Sequence, residues 1–487
     1  MTGLEHRLLA GAYARLPTDF YAPQVPTPLP QPYLIAFNPD LGEQLGLPAA
    51  PGPRDIDTLC GNHVPARVRP LAAVYAGHQF GVYVPQLGDG RALLLGDIVD
   101  ADGNRHELQL KGAGRTPFSR GADGRAVLRS TIREYLASEA LHGLGIPSTR
   151  ALAIVGSDQP VYRERIETAA VLARLAPSHV RFGSFEYFHY QGRDAQVRAL
   201  ADFVIDGHFP AFTGHQDRHA RLLDAVVERT AHLVAAWQAQ GFVHGVMNTD
   251  NMSILGLTLD YGPYGFLDHF EAVRVFNHTD RHGRYAYANQ GRIALWNLHA
   301  LAQALSSLID APRREAALER FEPLFVGAYG ALMRRKLGLR QPQAEDAELV
   351  DSLLHALQDG RADYPAFLRR LGAFRPHDAD TRRPLLALSR TPQAIDAWLD
   401  AYSARLSRET DSAEARQADM DAANPLYVLR THLAERAIRL ATDQQQYDEI
   451  ERLRQLLARP FSPQPGAEAY AEPPPADAGD IVLSCSS

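Results

Sequence analysis

The sequence predicts an α+β protein of two lobes, a small strand-rich lobe followed by a larger helical one. Three observations predict it. Between residues 80 and 175, short apolar runs alternate with glycine turns, the pattern of strands joined by tight connections. After about residue 176 the character changes, and 290–458 carries mostly helical periodicity. Both ends are proline-rich: Pro23, Pro26, Pro28, Pro30 and Pro32 crowd the first 70 residues, and Pro473-Pro474-Pro475 marks the last. The expected divisions are an N-terminal extension packed on the body over 1–70, a small lobe over 71–175, a helical lobe over 176–458 and a flexible tail over 459–487.

The bulk numbers narrow the class. The chain has 487 residues, 45% of them hydrophobic and 22% charged, as in an ordinary globular protein. A net charge of −7 gives no reason to expect nucleic acid or a membrane surface as partner. No apolar run reaches the ~18 residues that span a bilayer. Glu5 and Arg7 stand where a signal peptide would need its apolar stretch. Two cysteines, Cys60 and Cys485, make no disulfide framework, which fits a reducing compartment and a cytoplasmic location. Of the 50 basic residues only Lys111 and Lys336 are lysine. A lysine kept in so arginine-rich a chain invites inspection, because the two are not equivalent at a precise site.

In order along the chain, a short helix is expected at Leu4–Leu16. Strands are expected at Ala92–Ile98 and Glu107–Lys111, joined through Asp102-Gly103. An amphipathic helix over 127–142 ends at Gly143, and strands follow at Ala151–Val155 and Ala169–Leu175. Leu222, Leu223, Val226, Val227, Leu233 and Trp237 give Ala220–Gln240 a helical face. Short strands and loops fill 243–270. Helices include Ile293–Ile309 and the stretch Leu426–Leu457.

Several constellations carry chemistry. Gly88-Asp-Gly-Arg91 precedes a strand, and its glycines let backbone amides approach a phosphate or a base; the same pattern also makes a plain hairpin turn. Gly121-Ala-Asp-Gly124 lies just before a helix, whose N-terminus favours anions, and it too reads as a turn. In His106-Glu-Leu-Gln-Leu-Lys111, strand alternation puts Glu107, Gln109 and Lys111 on one face. Lys111 there can reach nucleotide phosphates if a carboxylate holds it. Glu134, mid-helix, is the candidate, with Glu139 as the competitor. Arg174 and Arg181 flank Pro177; guanidinium forks suit phosphate, but nothing distinguishes these two in so arginine-rich a chain.

The most informative stretch is His244-Gly-Val-Met-Asn-Thr-Asp-Asn251, followed by Leu259-Asp-Tyr-Gly262. It resembles the centre of a protein kinase, His-Arg-Asp, four residues, Asn, then Asp-Phe-Gly, with one part replaced. The position of the catalytic Asp is Val246, which accepts no proton. Asn251 and Asp260 offer the hard oxygens that suit Mg²⁺ shared with nucleotide phosphates. Asp250 is the nearest carboxylate to replace the missing base; alternatively it braces the loop. His244 is expected to support loop geometry. The order of lobes is also that of a kinase, so the fold expected is a protein-kinase-like bilobal one.

Tyr75-Ala-Gly-His-Gln-Phe-Gly81, Gln86-Leu-Gly-Asp-Gly-Arg91, Glu107 through Arg120, the 244–262 centre and Trp296-Asn-Leu298 together resemble the selenoprotein O (SelO) family of protein nucleotidyltransferases. The resemblance runs from about residue 70 to 310, with weaker echoes at both ends. It implies transfer of AMP, not phosphate, from ATP to protein hydroxyls, with the nucleotide inverted relative to kinases. It implies that Gly88, Gly90, Arg91, Lys111, Asp123, Gly124, Arg174, Arg181 and Asp260 contact ATP. By the same resemblance Asn251 and Asp260 hold Mg²⁺, Asp250 accepts the proton, and Lys111–Glu134 is the supporting ion pair. UMP transfer with Mn²⁺ is also described in the family. Some members carry selenocysteine third from the end and others a cysteine, here Cys485. Some pair it with a cysteine of the large lobe, which this chain lacks.

The expected reaction is attack of a Ser, Thr or Tyr hydroxyl on the α-phosphorus, assisted by Asp250, with loss of pyrophosphate. A small-molecule phosphotransferase is the enzymatic alternative, against which Val246 counts. A non-catalytic ATP-binding scaffold is the other, against which the metal ligands count.

Overall fold

A computed structural model describes residues 3–475, Ile481 and Leu483. Cys485 lies outside the described residues. The protein is mixed α+β, with one large antiparallel sheet and many helices.

The sheet runs in the order Tyr21–Pro23, Leu71–Ala73, Ala92–Val99, Arg105–Lys111, Ile166–Ala176, Arg150–Tyr162, Tyr33–Phe37, and Ala126–Val127 pairs with Ile166–Ala176 off this path. All pairings are antiparallel. The proline-rich N-terminal segment supplies both outer strands of the path, and Pro23 falls on one of them, where a missing N–H costs no ladder bond. Its other residues cover one face of the sheet. Leu4, Leu8, Leu29, Leu41, Leu45 and Leu59 pack there on Leu93, Leu95, Leu108, Leu110, Val171 and Leu175. Cys60 is buried in this layer as a free thiol, pushed up to about 11 by burial. Instead of one helix at Leu4–Leu16, a short helix Leu4–Arg7 and a 3-10 turn Ala12–Arg15 form, because the Leu9 amide and carbonyl pair with Asp97 of the sheet and interrupt the ladder.

The opposite sheet face carries Leu94, Ile154, Ala170 and Leu172 against the helix Leu128–Gly143. This helix was expected to be amphipathic, yet it is buried nearly all round, Glu134 and Glu139 included. The cause is a second layer: helices Thr431–Gln444 and Asp448–Ala458 pack on its far side. These two replace the single stretch expected at Leu426–Leu457, divided where Gln445 turns left-handed at φ 52°. The segment after 458 also lies on the body: Pro460 accepts from the Leu426 and Tyr427 amides, and Ala467 is fully buried.

The long helix Arg218–Ala239 runs through the main core. Gly241, at φ 68°, turns the chain out of it. The strand Phe242–Val243 then pairs with Gly265–Phe266, and this two-stranded ribbon ties off the loop 244–264 at its base. A second core gathers Leu353, Leu357, Phe367, Ile395, Trp398 and Tyr402 among the later helices. Among the described residues no helix is long and apolar enough to cross a membrane.

Lys336 is buried in the helical part, donating to Gln240 Oε1 at 2.8 Å and Asn424 Oδ1 at 3.3 Å. Among the described residues no carboxylate pairs with it, and burial, helped by the charge of Arg335, brings it from 10.5 down to about 7. Between those values the unfolded chain holds a proton that the folded chain lacks, so this group makes stability rise with pH across that window, by up to about 1.4 kcal/mol per unit. Below pH 7 both states are protonated and the slope vanishes. Lys336→Met is expected to flatten the stability-versus-pH curve between pH 7 and 10, measured by urea denaturation. An unchanged slope would refute the assignment.

Candidate active site

The site begins with strand register. Lys111 pairs with Leu172 and Gln109 with Arg174, so Gln109, Lys111 and Arg174 share one sheet face. Arg174 Nε donates to Gln109 Oε1 at 2.8 Å. The helix Leu128–Gly143 brings Glu134 over both cations: Lys111 Nζ to Glu134 Oε2 is 2.5 Å, and Arg174 Nη1 to Glu134 Oε1 is 2.5 Å. Burial pushes the Glu134 carboxyl up, but Lys111 and Arg174 outweigh it and hold the group below its usual range. Glu139 takes no part, being held by Arg150 at 2.8 Å.

Asp260 completes this cluster. Its Oδ1 accepts from Arg174 Nη1 at 2.8 Å and lies 3.4 Å from Lys111 Nζ, while Oδ2 pairs closely with Arg181. Desolvation raises its pKa, but Arg181, Arg174 and Lys111 hold it well below the carboxylate range. Its φ is 60°, an uncommon left-handed backbone for a residue other than glycine. Arg181 also donates to the Asp250 carbonyl at 2.6 Å and stacks 4.7 Å from the Tyr75 ring. Arg91 makes no ion pair among the described residues, yet its charge is felt at Lys111.

The 244–251 segment is braced from several sides. His244 Nε2 meets the Leu259 carbonyl at 3.1 Å, and its Nδ1 accepts from the Val246 amide at 3.4 Å. Nε2 therefore carries the proton, and burial keeps the ring neutral by lowering its pKa. His244 is thus a strut between this segment and the one that carries Asp260. Asn251 Nδ2 donates to the Val246 carbonyl at 3.0 Å, which leaves the amide oxygen as its free end. Asn297 Nδ2 donates to the Met247 carbonyl at 3.0 Å, and Tyr285 OH donates to Asn248 Oδ1 at 2.6 Å.

Asp250 sits in a 3-10 turn, Thr249–Asn251, and is nearly buried. Gln79 Nε2 donates to its Oδ2 at 3.2 Å, whereas Oδ1 is buried with no hydrogen-bond partner. Desolvation pushes this carboxyl up to about 6. Gly77 lies over it so closely that a Cβ there would stand 2.5 Å from Oδ1. The hairpin of Gly77–Gln79 and Val82–Val84 is what covers the turn: the His78 amide donates to Thr249 Oγ1 at 2.7 Å, and the Phe80 amide to Asn248 Oδ1 at 3.3 Å.

On the strand-rich side Gly88 has φ 96°, and a Cβ there would meet the Phe118 ring. Asp123 is held by Arg163 through bonds of 2.8 and 2.9 Å, which lower its pKa, and it caps the Arg125 amide at 2.9 Å.

A cleft of about 670 Å³ opens over these groups, a size suited to a small-molecule ligand. Gly88, Gly90, Arg91, Lys111, Asp123, Gly124, Arg174, Arg181, Asp250, Asn251 and Asp260 all line it, as does Val246. Glu134 stands behind the lining. A second cavity, of about 590 Å³, is lined mainly by apolar groups such as Phe270, Phe325 and Tyr329, away from these residues. Among the described residues no three His, Cys, Asp or Glu side chains gather as a metal cage. The Asn251 amide oxygen and the Asp260 carboxylate, two hard oxygen donors of the kind a divalent cation takes, both line the cleft, with the Asp260 oxygens paired to Lys111, Arg174 and Arg181.

Sequence reasoning assigned no role to Gln79, Gly77, Tyr75, Asn248 or Arg163, all of which touch the site residues. Tyr75 through Gly81 stood out only as a family-like string. Amides and glycines announce no chemistry until a contact gives them one.

The family model described as Protein adenylyltransferase SelO matches residues 6–459. A "Protein nucleotidyltransferase YdiU" of Thioalkalivibrio sulfidiphilus is 53% identical, covering 100% of both chains. Proteins of the same name from Myxococcus xanthus and Thiobacillus denitrificans are 50% and 51% identical, again over 100% of both chains. This chain belongs to the SelO family of protein adenylyltransferases.

Proposed function

We propose that the protein transfers AMP from ATP to Ser, Thr or Tyr hydroxyls of other proteins, releasing pyrophosphate, on a protein-kinase-like bilobal scaffold. The observation that carries this reading is the pairing of Val246, inert where a kinase has its base, with Asp250, a carboxylate that lines the same cleft and has one oxygen without a hydrogen-bond partner. The strand lysine and helix glutamate, Lys111 and Glu134, support the kinase-like part.

Four cations, Arg91, Lys111, Arg174 and Arg181, would bind and orient the polyphosphate. Asn251 and Asp260 would hold a divalent cation such as Mg²⁺, which would supply charge neutralisation of the phosphates. Asp250 takes the proton of the acceptor hydroxyl as its oxygen bonds to the α-phosphorus. The bond from that phosphorus to the bridging oxygen breaks, and pyrophosphate carries the electron pair away. Gln79 holds the Asp250 carboxylate through Oδ2, and Gly77 closes over Oδ1, so together they fix its orientation beside the cleft. Positioning and electrostatics would supply most of the rate.

The deciding experiment uses ATP labelled at the α or the γ phosphate. Label on protein from α alone is expected. Label from γ alone would make the enzyme a phosphotransferase, and label from neither would favour a scaffold. Asp250→Asn should lower kcat by about 10²–10⁴-fold with nucleotide affinity retained; a near wild-type kcat would remove Asp250 from the mechanism. Gly77→Ala should lower kcat by displacing the Asp250 carboxylate, with little change in nucleotide affinity. An unaffected kcat in that variant would show that the close approach has no bearing on catalysis.

A further inference from the structure

The hairpin beside Asp250 has features that its structural role leaves unexplained. Its two-residue loop is Phe80-Gly81, and both residues have positive φ, 51° and 83°. Such loops favour Asn-Gly, because asparagine tolerates the left-handed region and a bulky aromatic does not. Phe80 is nevertheless there, 41% exposed and lining the cleft, with its amide fixed by Asn248 and Tyr285 and one side of its ring 5.1 Å from the Tyr285 ring. A bulky side chain held in a strained backbone at a cleft mouth points to function.

Val82 pairs with Gln79 across the hairpin, so the two share a face, and Gln79 on that face reaches Asp250. Val82 is 68% exposed. The other face is propped by aromatic contacts: the His78 ring lies 5.2 Å from both Tyr83, tilted, and Trp296, edge-on. Arg284 stacks 4.9 Å from the Trp296 ring under Gly81, and among the described residues it pairs with no carboxylate. A rigid apolar ledge with a cation at its edge thus adjoins the carboxylate that would take the acceptor's proton.

We infer that Phe80 and Val82 form the docking ledge for the acceptor, an extended protein segment with an apolar side chain flanking its hydroxyl residue and a carboxylate close by for Arg284. This rests on the reading of Asp250 as the acceptor's base. Phe80 and Val82 are then specificity-determining residues, and the hairpin's strain is retained for acceptor choice, not stability.

The test is binding by the full chain with Mg²⁺ and a non-hydrolysable ATP analogue, followed by fluorescence anisotropy. The probes are labelled peptides with one tyrosine, flanked by leucine or by serine, with glutamate or glutamine beyond. The wild-type protein should bind the leucine peptide about tenfold tighter than the serine peptide. Val82→Ser and Phe80→Asn should each erase most of that difference, with the nucleotide-analogue Kd unchanged. Arg284→Gln should erase the preference for glutamate. Phe80→Asn suits the turn but gives up the ring contact with Tyr285, so Val82→Ser, at a side chain 68% exposed, is the variant whose unchanged Tm separates lost recognition from lost folding. A wild-type protein indifferent to leucine or to glutamate, or variants that keep the discrimination, would overturn the inference. Because binding is read apart from transfer, discrimination without α-label transfer would sink the proposed reaction and leave the ledge standing. Transfer without discrimination would do the reverse.

Discussion

The site hangs on one buried ionic cluster, Lys111, Arg174 and Arg181 around Glu134 and Asp260. Each member comes from a different place: a strand, the strand beside it, the segment after that strand, the enclosed helix and the loop that follows the Asn251 turn. Removing one partner of such a cluster strands a buried charge, at a cost of about 3–5 kcal/mol. Assembling it adds little net stability, because desolvation offsets the attraction. What it supplies is position. Asp260 can be where it is only if both sheet and helix are in place, and Arg181 carries that placement on to Asp250 through its carbonyl.

Enclosure of the helix Leu128–Gly143 makes that position rigid. In protein kinases the placement of the glutamate-bearing helix is a control point. Here Ile132, Tyr135, Leu136 and Leu141 are each fully buried, and each contributes about 1.5–3 kcal/mol. Swinging the helix out would expose them together, on the order of 6–12 kcal/mol, comparable to the whole stability of a typical domain. The far side is closed as well: a side chain at Gly143 would collide with the Leu457 carbonyl, and Arg454 of the same C-terminal helix reaches Asp40 at 2.9 Å. Control by helix displacement is therefore disfavoured, and the ion pair is a fixed feature of the cleft.

These facts explain what could be read from the sequence. Lys111 and Gln109 were legible because strand alternation is local. Asn251, Asp260 and the anomalous Val246 were legible because their spacing is contiguous. The rest depended on contacts distant in sequence. Arg174 is marked out by its register against Gln109, which no pattern in an arginine-rich chain reveals. The choice of Glu134 over Glu139 came from Arg150 occupying the latter. The helix at 128–143 read as amphipathic because its second partner lies some 300 residues later. The Leu4–Leu16 helix broke because the sheet competes for the Leu9 backbone.

The hairpin over Asp250 is where local rules fail most plainly, and the failure is informative. A chain folding for stability alone would place asparagine or glycine at position 80, and would avoid leaving valine largely exposed at 82. The hairpin's support explains these choices only in part: the Phe80 ring packs 5.1 Å from Tyr285, but this leaves it 41% exposed, and Val82 stays 68% exposed. Sites at which local preference and global fold disagree are expected to be functional ones. The disagreement falls one residue beyond Gln79, whose amide donates to Asp250, so the departure from local preference adjoins the carboxylate proposed as the base. An enzyme that modifies other proteins must select its acceptor outside the nucleotide cleft, and that surface is continuous with the cleft's mouth.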